Sequence, residues 1–218
     1  MTRPGNRFSD ETITAALRPF AVSRETRGGL ERYVETLLAW QDRTNLVAPS
    51  TLDDLWQRHV ADSLALTPFL PPCRVLDLGS GGGFPGIVLA VLWRGEPQAH
   101  VTMVESLARK TAFLRRALRE TGGNGTVLDR RIETLDPAET GPVDCVTARA
   151  LADLPTLCAL AAPFLERGAR ALFHKGADVD REIADVPPAL RKSLVKHPHP
   201  IFSGSVIVEI QPMAAARD

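Results

Sequence analysis

The 218-residue sequence predicts an α/β protein, a mostly parallel sheet with helices on both faces, preceded by an N-terminal helical segment. Three observations predict it. From Arg74 onward, apolar runs of strand length alternate with runs of helix length, as in strands joined by crossover helices. The stretch VLDLGSGGGFPGIVLA, Val75 to Ala90, passes from an apolar strand into an apolar helix through a glycine cluster. Before Pro71, apolar residues recur at helical spacing and no strand pattern appears.

The elements follow in order. Ser9 reads as an N-cap with Asp10 and Glu11 in the first turn, and this helix stops at Pro19. In LERYVETLLAWQDRTN, one stripe holds Leu30, Tyr33, Val34, Leu37, Leu38 and Gln41. STLDDLWQRHVADSLAL opens with Ser50 and, three residues on, Asp53, a capping-box variant that predicts Ser50 as N-cap. Trp40 and Trp56 occupy helical positions and read as core. Pro68, Pro71 and Pro72 punctuate a linker, which divides the chain into a helical segment, 1–70, packed on an α/β domain, 71–218. In that domain RVLDL is a strand, GIVLAVLW a helix and HVTMVES a strand ending in an acid. LARKTAFLRRALRETG is an amphipathic helix burying Leu107, Phe113, Leu114, Ala117 and Leu118, with its arginines and Lys110 outside. GTVLD, VDCVTARA, ARALFH and SVIVEIQP are further strands, and LPTLCALAAPFL a helix.

Composition narrows the function classes. A hydrophobic fraction of 44% supports a real core, and 26 basic residues balance 26 acidic ones. Zero net charge excludes attachment to nucleic acid by bulk charge alone and leaves a local basic face open. Arg greatly outnumbers Lys, which reads as genomic bias, although individual arginines suit phosphate and base contacts. Cys73, Cys145 and Cys158 are isolated, so neither a disulfide framework nor a zinc site follows; Cys145 reads as a small core residue. MTRPGNRFSDET has no apolar signal core, and no apolar run approaches the roughly 20 residues of a membrane span. A reduced, cytoplasmic protein without membrane attachment is expected.

The glycine joint carries the chemistry. A helix starting near Phe84 or Pro85 points N–H groups and partial positive charge at the joint, and Pro85 suits its first turn. Carboxylate, phosphate or hydroxyl groups would be accepted there. A triphosphate loop needs Lys after its last glycine, and no Lys follows Gly86; a dinucleotide fingerprint needs glycine at position 84, which is Phe84. The spacing is Asp77-x-Gly79-x-Gly81-x-Gly83, which resembles motif I of class I S-adenosylmethionine-dependent methyltransferases. The second strand ends at Glu105, where an acid meets ribose hydroxyls in such folds. A glycine turn without a ligand is disfavoured, because four glycines at a helix entry cost conformational entropy.

Further segments carry a narrower resemblance. LDLGSGGGFPGIVLA, VESLARKTAFLR, RIE at Arg131–Glu133, ARALADL from Ala148, HKG at His174–Gly176, WQDRTNL and RHVADSLAL together resemble the RsmG (GidB) family. The likeness runs from Leu30 to the last strand. It implies a Rossmann-like class I methyltransferase domain over 71–218 with a mostly parallel seven-stranded sheet. It implies S-adenosyl-L-methionine as cofactor, with S-adenosyl-L-homocysteine as product. The implied reaction is methylation of N7 of a guanine in the 530 loop of 16S ribosomal RNA (position 527 of that RNA). The implied partner is that RNA, within the assembling or assembled small subunit, and the expected state is a monomer.

By the same resemblance, the cofactor lies on Gly79, Phe84, Ile132, Glu133 and Arg149. The residue chemistry agrees. Backbone amides from Gly79 through Gly81 to Gly83 suit the methionine carboxylate, and Glu105 suits the ribose. The Ile132–Glu133 turn offers a donor and an acceptor to the adenine edge while Ile132 packs on its face. Arg149 stands just past a strand's C-terminal end; otherwise it would cap a helix or pair with Asp153. Lys175 would meet an RNA phosphate or guanine O6, or lie solvated. Arg149 and Lys175 read as substrate-positioning residues. Guanine N7 already holds an in-plane lone pair, so no general base is expected, and no metal site. His59 and Asp62, one turn apart, either pair or roof the cofactor pocket or touch RNA. A basic strip for RNA is drawn from Arg3, Arg7, Arg24, Arg27, Arg58, Arg109, Lys110, Arg115, Arg116, Arg130, Arg131 and Lys175. The rival readings are a class I methyltransferase acting on another RNA or a small molecule, a nicotinamide oxidoreductase, and a non-catalytic RNA-binding module.

Overall fold

The computed structural model describes residues 7–212; the candidate Arg3 lies outside them. The N-terminal helices are α1 (Asp10–Leu17) and α2 (Arg24–Thr44). The Ser9 side chain caps α1 by accepting from Thr12 N, as expected. A 3-10 turn (Pro49–Thr51) and a π-helical stretch (Trp56–Ala61) lead into α3 (Asp62–Leu64). Ser50 lies inside the 3-10 turn, which starts from Ala48 without a side-chain cap, so the expected capping box at Ser50 is not formed. The expected α-helical period is instead interrupted by the wider π-turns that commonly mark functional sites.

Seven strands follow: β1 (Arg74–Leu78), β2 (His100–Glu105), β3 (Gly125–Asp129), β4 (Cys145–Arg149), β5 (Arg170–Lys175), β6 (Leu194–Pro198) and β7 (Val206–Ile210). Between them lie α4 (Gly86–Leu92), α5 (Ala108–Thr121), α6 (Pro137–Thr140), α7 (Leu154–Leu165), α8 (Val179–Asp185) and α9 (Pro188–Arg191). The sheet order is β3-β2-β1-β4-β5-β7-β6. The first five strands are parallel, and β7 runs antiparallel to both β5 and β6. The chain leaves β1 to one side for β2 and returns on the other as β4, which puts a topological switch point at the C-terminal end of β1.

Alternation along the strands feeds two cores. Val75, Val101 and Met103 join the stripe of α2 (Leu30, Tyr33, Val34, Leu37) and the buried faces of α4 and α5. Leu76, Leu78 and Val104 point the other way, onto Leu157, Cys158, Ala161 and Leu165 of α7. The first core unites the N-terminal helices with the sheet. Leu107 departs from expectation. It is 57% exposed because it is the N-cap of α5 and precedes the helical stripe. Pro85 is likewise the N-cap residue, and α4 begins at Gly86. β6 carries no period in its sequence. It pairs on one side only, with Lys196 and Pro198 on it, as suits an edge strand.

Candidate active site

The loop after β1 is held in place from three sides. Gly79, Gly81 and Gly83 all take positive φ, of 64°, 53° and 90°. At Gly79 a side chain would also collide, since a Cβ would lie 2.6 Å from Leu151 Cδ1. Gly81 N donates to Glu105 Oε2 (3.0 Å), and Glu105 Oε1 accepts from the amides of Ser106 and Leu107 (both 2.9 Å). The end of β2 is therefore tied to the loop. From α2, the fully buried Tyr33 donates its hydroxyl to the Gly82 carbonyl. Gln41 fixes the neighbouring rim: its Nε2 donates to Val47 O (2.8 Å), while its Oε1 accepts from Leu46 N and Val47 N (3.0 and 3.1 Å). Tyr33 and Gln41 lie on the buried stripe of α2, as the helical spacing predicts; only their polar ends hint in the sequence at this second role.

Beneath the loop, Asp77 is completely buried and accepts from Thr147 Oγ1 (3.0 Å). Burial pushes its carboxyl up to about 6. A Cβ on Gly86 would stand 2.7 Å from Asp77 Oδ2, so α4 can begin this close to β1 only with glycine.

Above the loop lies a cavity of about 490 Å³. It gathers Gly79, Gly81 and Phe84 from the β1 end, Glu105 from β2, Ile132 and Glu133 from the turn after β3, and Arg149 from β4. Every expected cofactor residue except Gly83 lines it. Gly83 turns inward, and a Cβ there would meet Ile87 and the Tyr33 hydroxyl. Glu105 is 8% exposed, with both carboxylate oxygens already accepting backbone amides.

Arg149 closes one wall. Its Nη1 donates to Asp62 Oδ2 (2.7 Å) and Arg58 O (3.0 Å), its Nη2 donates to His59 Nδ1, and its guanidinium sits 5.4 Å from the Phe84 ring centroid. Because Arg only donates, His59 Nδ1 accepts, and its Nε2–H donates to Thr51 Oγ1 (2.8 Å). Burial and the Arg149 charge lower the His59 pKa to about 3, so the ring is neutral. His59 and Asp62 thus do not pair with each other; Arg149 joins them. Nor does Arg149 pair with Asp153, whose carboxylate caps α7 through Thr156 N (3.0 Å).

Asp62 is braced from the far side by His199 Nε2 at 3.0 Å from Oδ1. Burial disfavours the Asp62 carboxylate, yet the close His199 imidazole and the charge and hydrogen bond of Arg149 outweigh it and hold the group well below the ordinary range. His199 Nδ1 accepts from the amides of Ile201 and Phe202 (3.3 and 3.1 Å), so its Nε2 carries the proton. Asp62, His174 and His199 converge, but a protonated Nε2 has no lone pair to offer a cation. Nothing in the sequence pattern singled out His199.

A second cavity of about 310 Å³ adjoins the first. It contains Lys175, Asp178 and Glu182 and shares Arg149 and Ala150 with the first. Lys175 is not solvated: its Nζ lies 2.6 Å from Glu182 Oε2 and donates to Ala152 O (3.1 Å). The expected basic strip is broken. Lys110, Arg130 and Arg131 line the first cavity, with Arg130 paired to Glu139 and Arg131 to Glu133. Arg7, Arg27 and Arg116 are engaged by Asp53, by Asp10 and Glu31, and by Glu120. Arg24 groups with Arg32 and Arg94, and Arg32 reaches Glu120 O at the end of α5. Arg24 and Arg27 thus lie at the opposite end of α2 from the cavity rim. Arg109 lies beside Trp40 and Arg43.

A seven-stranded sheet of this order, with a glycine loop and a terminal acid at its switch point, has the Rossmann-like fold of class I S-adenosylmethionine-dependent methyltransferases. Rv0187 from MTB, solved with bound cofactor, shares this fold at 18% identity, with a TM-score of 0.58 over 97% of this chain and 99% of that one. The family model of GidB, rRNA small subunit methyltransferase G, matches residues 27–203, and the chain belongs to this family. Its relatives include the ribosomal RNA small subunit methyltransferase G of Bradyrhizobium sp. (strain ORS 278), 52% identical over 81% of this chain and 79% of that protein. Another is its namesake in Rhodopseudomonas palustris (strain BisB18), 48% identical over 90% and 84%. No helix among the described residues is long and apolar enough to cross a membrane.

Proposed function

We propose that this protein methylates N7 of a guanine in the 530 loop of 16S ribosomal RNA, using S-adenosyl-L-methionine. We further propose that it does so as a cytoplasmic monomer, on the assembling or assembled small subunit. The observation that carries the reading is the first cavity, at the switch point, where the C-terminal ends of β1, β2 and β4 and the turn after β3 converge. The residues fit the donor. The cavity's volume lies within the roughly 300–1,000 Å³ usual for such ligands. The amides of Ser80, Gly81 and Gly83 are already taken by Val104 O, Glu105 and Ser80 O, so the loop offers the donor the bare, side-chain-free backbone at Gly79, Gly81 and Gly82 rather than the full run of amides expected. Glu105 offers an acid for ribose hydroxyls, and Ile132 an apolar face for adenine.

When bound, S-adenosylmethionine supplies an electrophilic methyl group. This chain supplies position. Phe84, held against Arg149 and against the His59 ring at 4.9 Å between centroids, shapes the wall nearest the substrate. Arg149 is balanced by Asp62, so the wall adds little net positive charge beside a cationic donor. The nucleophile's lone pair needs no proton removed, and His59, the titratable ring in that wall, is committed to Arg149 and Thr51. Alignment of the reacting atoms can supply up to about 7–11 kcal/mol in the best case. Primer extension after N7-specific cleavage tests the reading. The cleavage at this guanine should vanish in cells lacking the protein and return with it. Its persistence would refute the assignment.

A further inference from the structure

The two cavities meet at Arg149 and Ala150. Ala150 adopts φ of 52°, a left-handed conformation that non-glycine residues seldom take and that concentrates at functional sites. This turn carries the chain from β4 between the cavities, so a planar base reaching toward the first would be seated in the second. The second cavity's lining is polar and has both signs. Lys175 Nζ is held beside the Ala150 turn by Ala152 O and Glu182. Asp178, three residues further on, is exposed and makes no capping bond to α8.

We propose that this second cavity reads the Watson–Crick side of the target guanine, with Lys175 donating to O6 and the Asp178 carboxylate accepting from N1–H and the 2-amino group. The proposal rests on the function proposed above. With N7 turned to the first cavity, O6 lies next to it, near the wall, where Lys175 stands. N1–H and the 2-amino group then point further into the second cavity, where an acceptor is required. Adenine presents the opposite pattern, a donor at position 6 and an acceptor at N1. It would place an amino group against the ammonium and a lone pair against the carboxylate. Discrimination then comes from groups left unpaired as much as from groups paired. Glu182 is a positioning residue in this scheme: its Oε2 is occupied by Lys175 and by Leu154 N.

The test uses the whole protein and its Asp178→Ala variant, which removes the acceptor outright and is tolerable because Asp178 is exposed, so that its loss leaves no buried charge. Calorimetric titration should give S-adenosylmethionine affinities within about twofold of each other. Methyl transfer to small subunits from cells lacking the protein should fall about ten- to hundred-fold, the worth of a charged hydrogen-bonded pair. With S-adenosylhomocysteine present, saturation-transfer NMR should show the wild type preferring guanosine monophosphate to inosine monophosphate, which lacks only the 2-amino group. The variant should show no such preference. Wild-type transfer by the variant, equal binding of the two nucleotides by the wild type, or a preference retained in the variant would each overturn the proposal. If the wild type itself bound no donor or labelled no guanine N7, the underlying function would fall and this inference with it.

Discussion

Arg149 carries more of the local structure than any other cavity residue, since it ties together the carboxylate of Asp62, the ring of His59 and the Arg58 carbonyl over the Phe84 face. Arg149→Ala should weaken donor binding about tenfold or more. It should also lower stability, by somewhat less than the ~3–5 kcal/mol typical of breaking a fully buried pair, because a trace of solvent reaches it. Titration calorimetry and a thermal melt check both. His59 predicts a pH dependence. Its folded pKa of about 3 lies below its ordinary value of 6.5, so the unfolded chain binds the proton more readily. Its contribution is fully present above pH 6.5 and is lost as pH falls toward 3. Between pH 6.5 and 5 the wild type should lose up to about 2 kcal/mol that His59→Gln does not, at ~1.4 kcal/mol per unit. Asp77, raised to about 6, acts oppositely in both proteins: its burial penalty lapses as pH falls below 6. Denaturant melts at both pH values decide. At this scale the place of Gly79, Gly81, Glu105, Ile132 and Arg149 on the cavity wall was legible because each ends or follows an apolar strand, while Gly83, expected with them, turns inward. Asp62 was marked only by its one-turn spacing from His59, and His199 not at all, because the partners that orient them, Arg149 and Asp62, are 87 and 137 residues away in the chain.

The elements were legible in proportion to their burial. β1, β2, β4 and β5 lie inside the sheet and read as short apolar runs. The edge strand β3 is half-exposed yet still carries an apolar Val–Leu pair, whereas β6 at the opposite edge has a half-exposed, polar sequence that no periodicity marks. The stretch after Ser50 misled because its cap pattern is local, while the chain there is shaped by Arg149 and the cavity. α2 has a consequence of its own. Its stripe was read as packing, yet Tyr33 reaches the glycine loop from it. Tyr33→Phe keeps the ring against Phe84 and Phe113 but leaves the Gly82 carbonyl without its donor. It should cost about 1–3 kcal/mol and weaken donor affinity by a measurable factor in the same titration. An unchanged affinity would show that the loop is held by Glu105 alone.

In the whole molecule, one sheet separates two cores, and the N-terminal helices belong to the first. Trp56 and Trp93 are buried there and Trp40 packs against it, so indole fluorescence reports that core alone. Far-UV circular dichroism reports both. We expect the two signals to unfold at one midpoint, as for a cooperative unit. Separated transitions would mean that the face bearing α7 melts independently. Fold class was the most legible property of all, because alternating strands and helices leave few topologies that bury both faces.

Two compartments divided only by the Arg149–Ala150 turn can be addressed by one compound. An adenosyl head joined by a short tether to a guanine-like tail would occupy both at once. The second contact would then be made at the millimolar local concentration that a short linker confers. Such a bisubstrate ligand would draw its selectivity from the pairing of two sites, a feature that neither compartment has by itself.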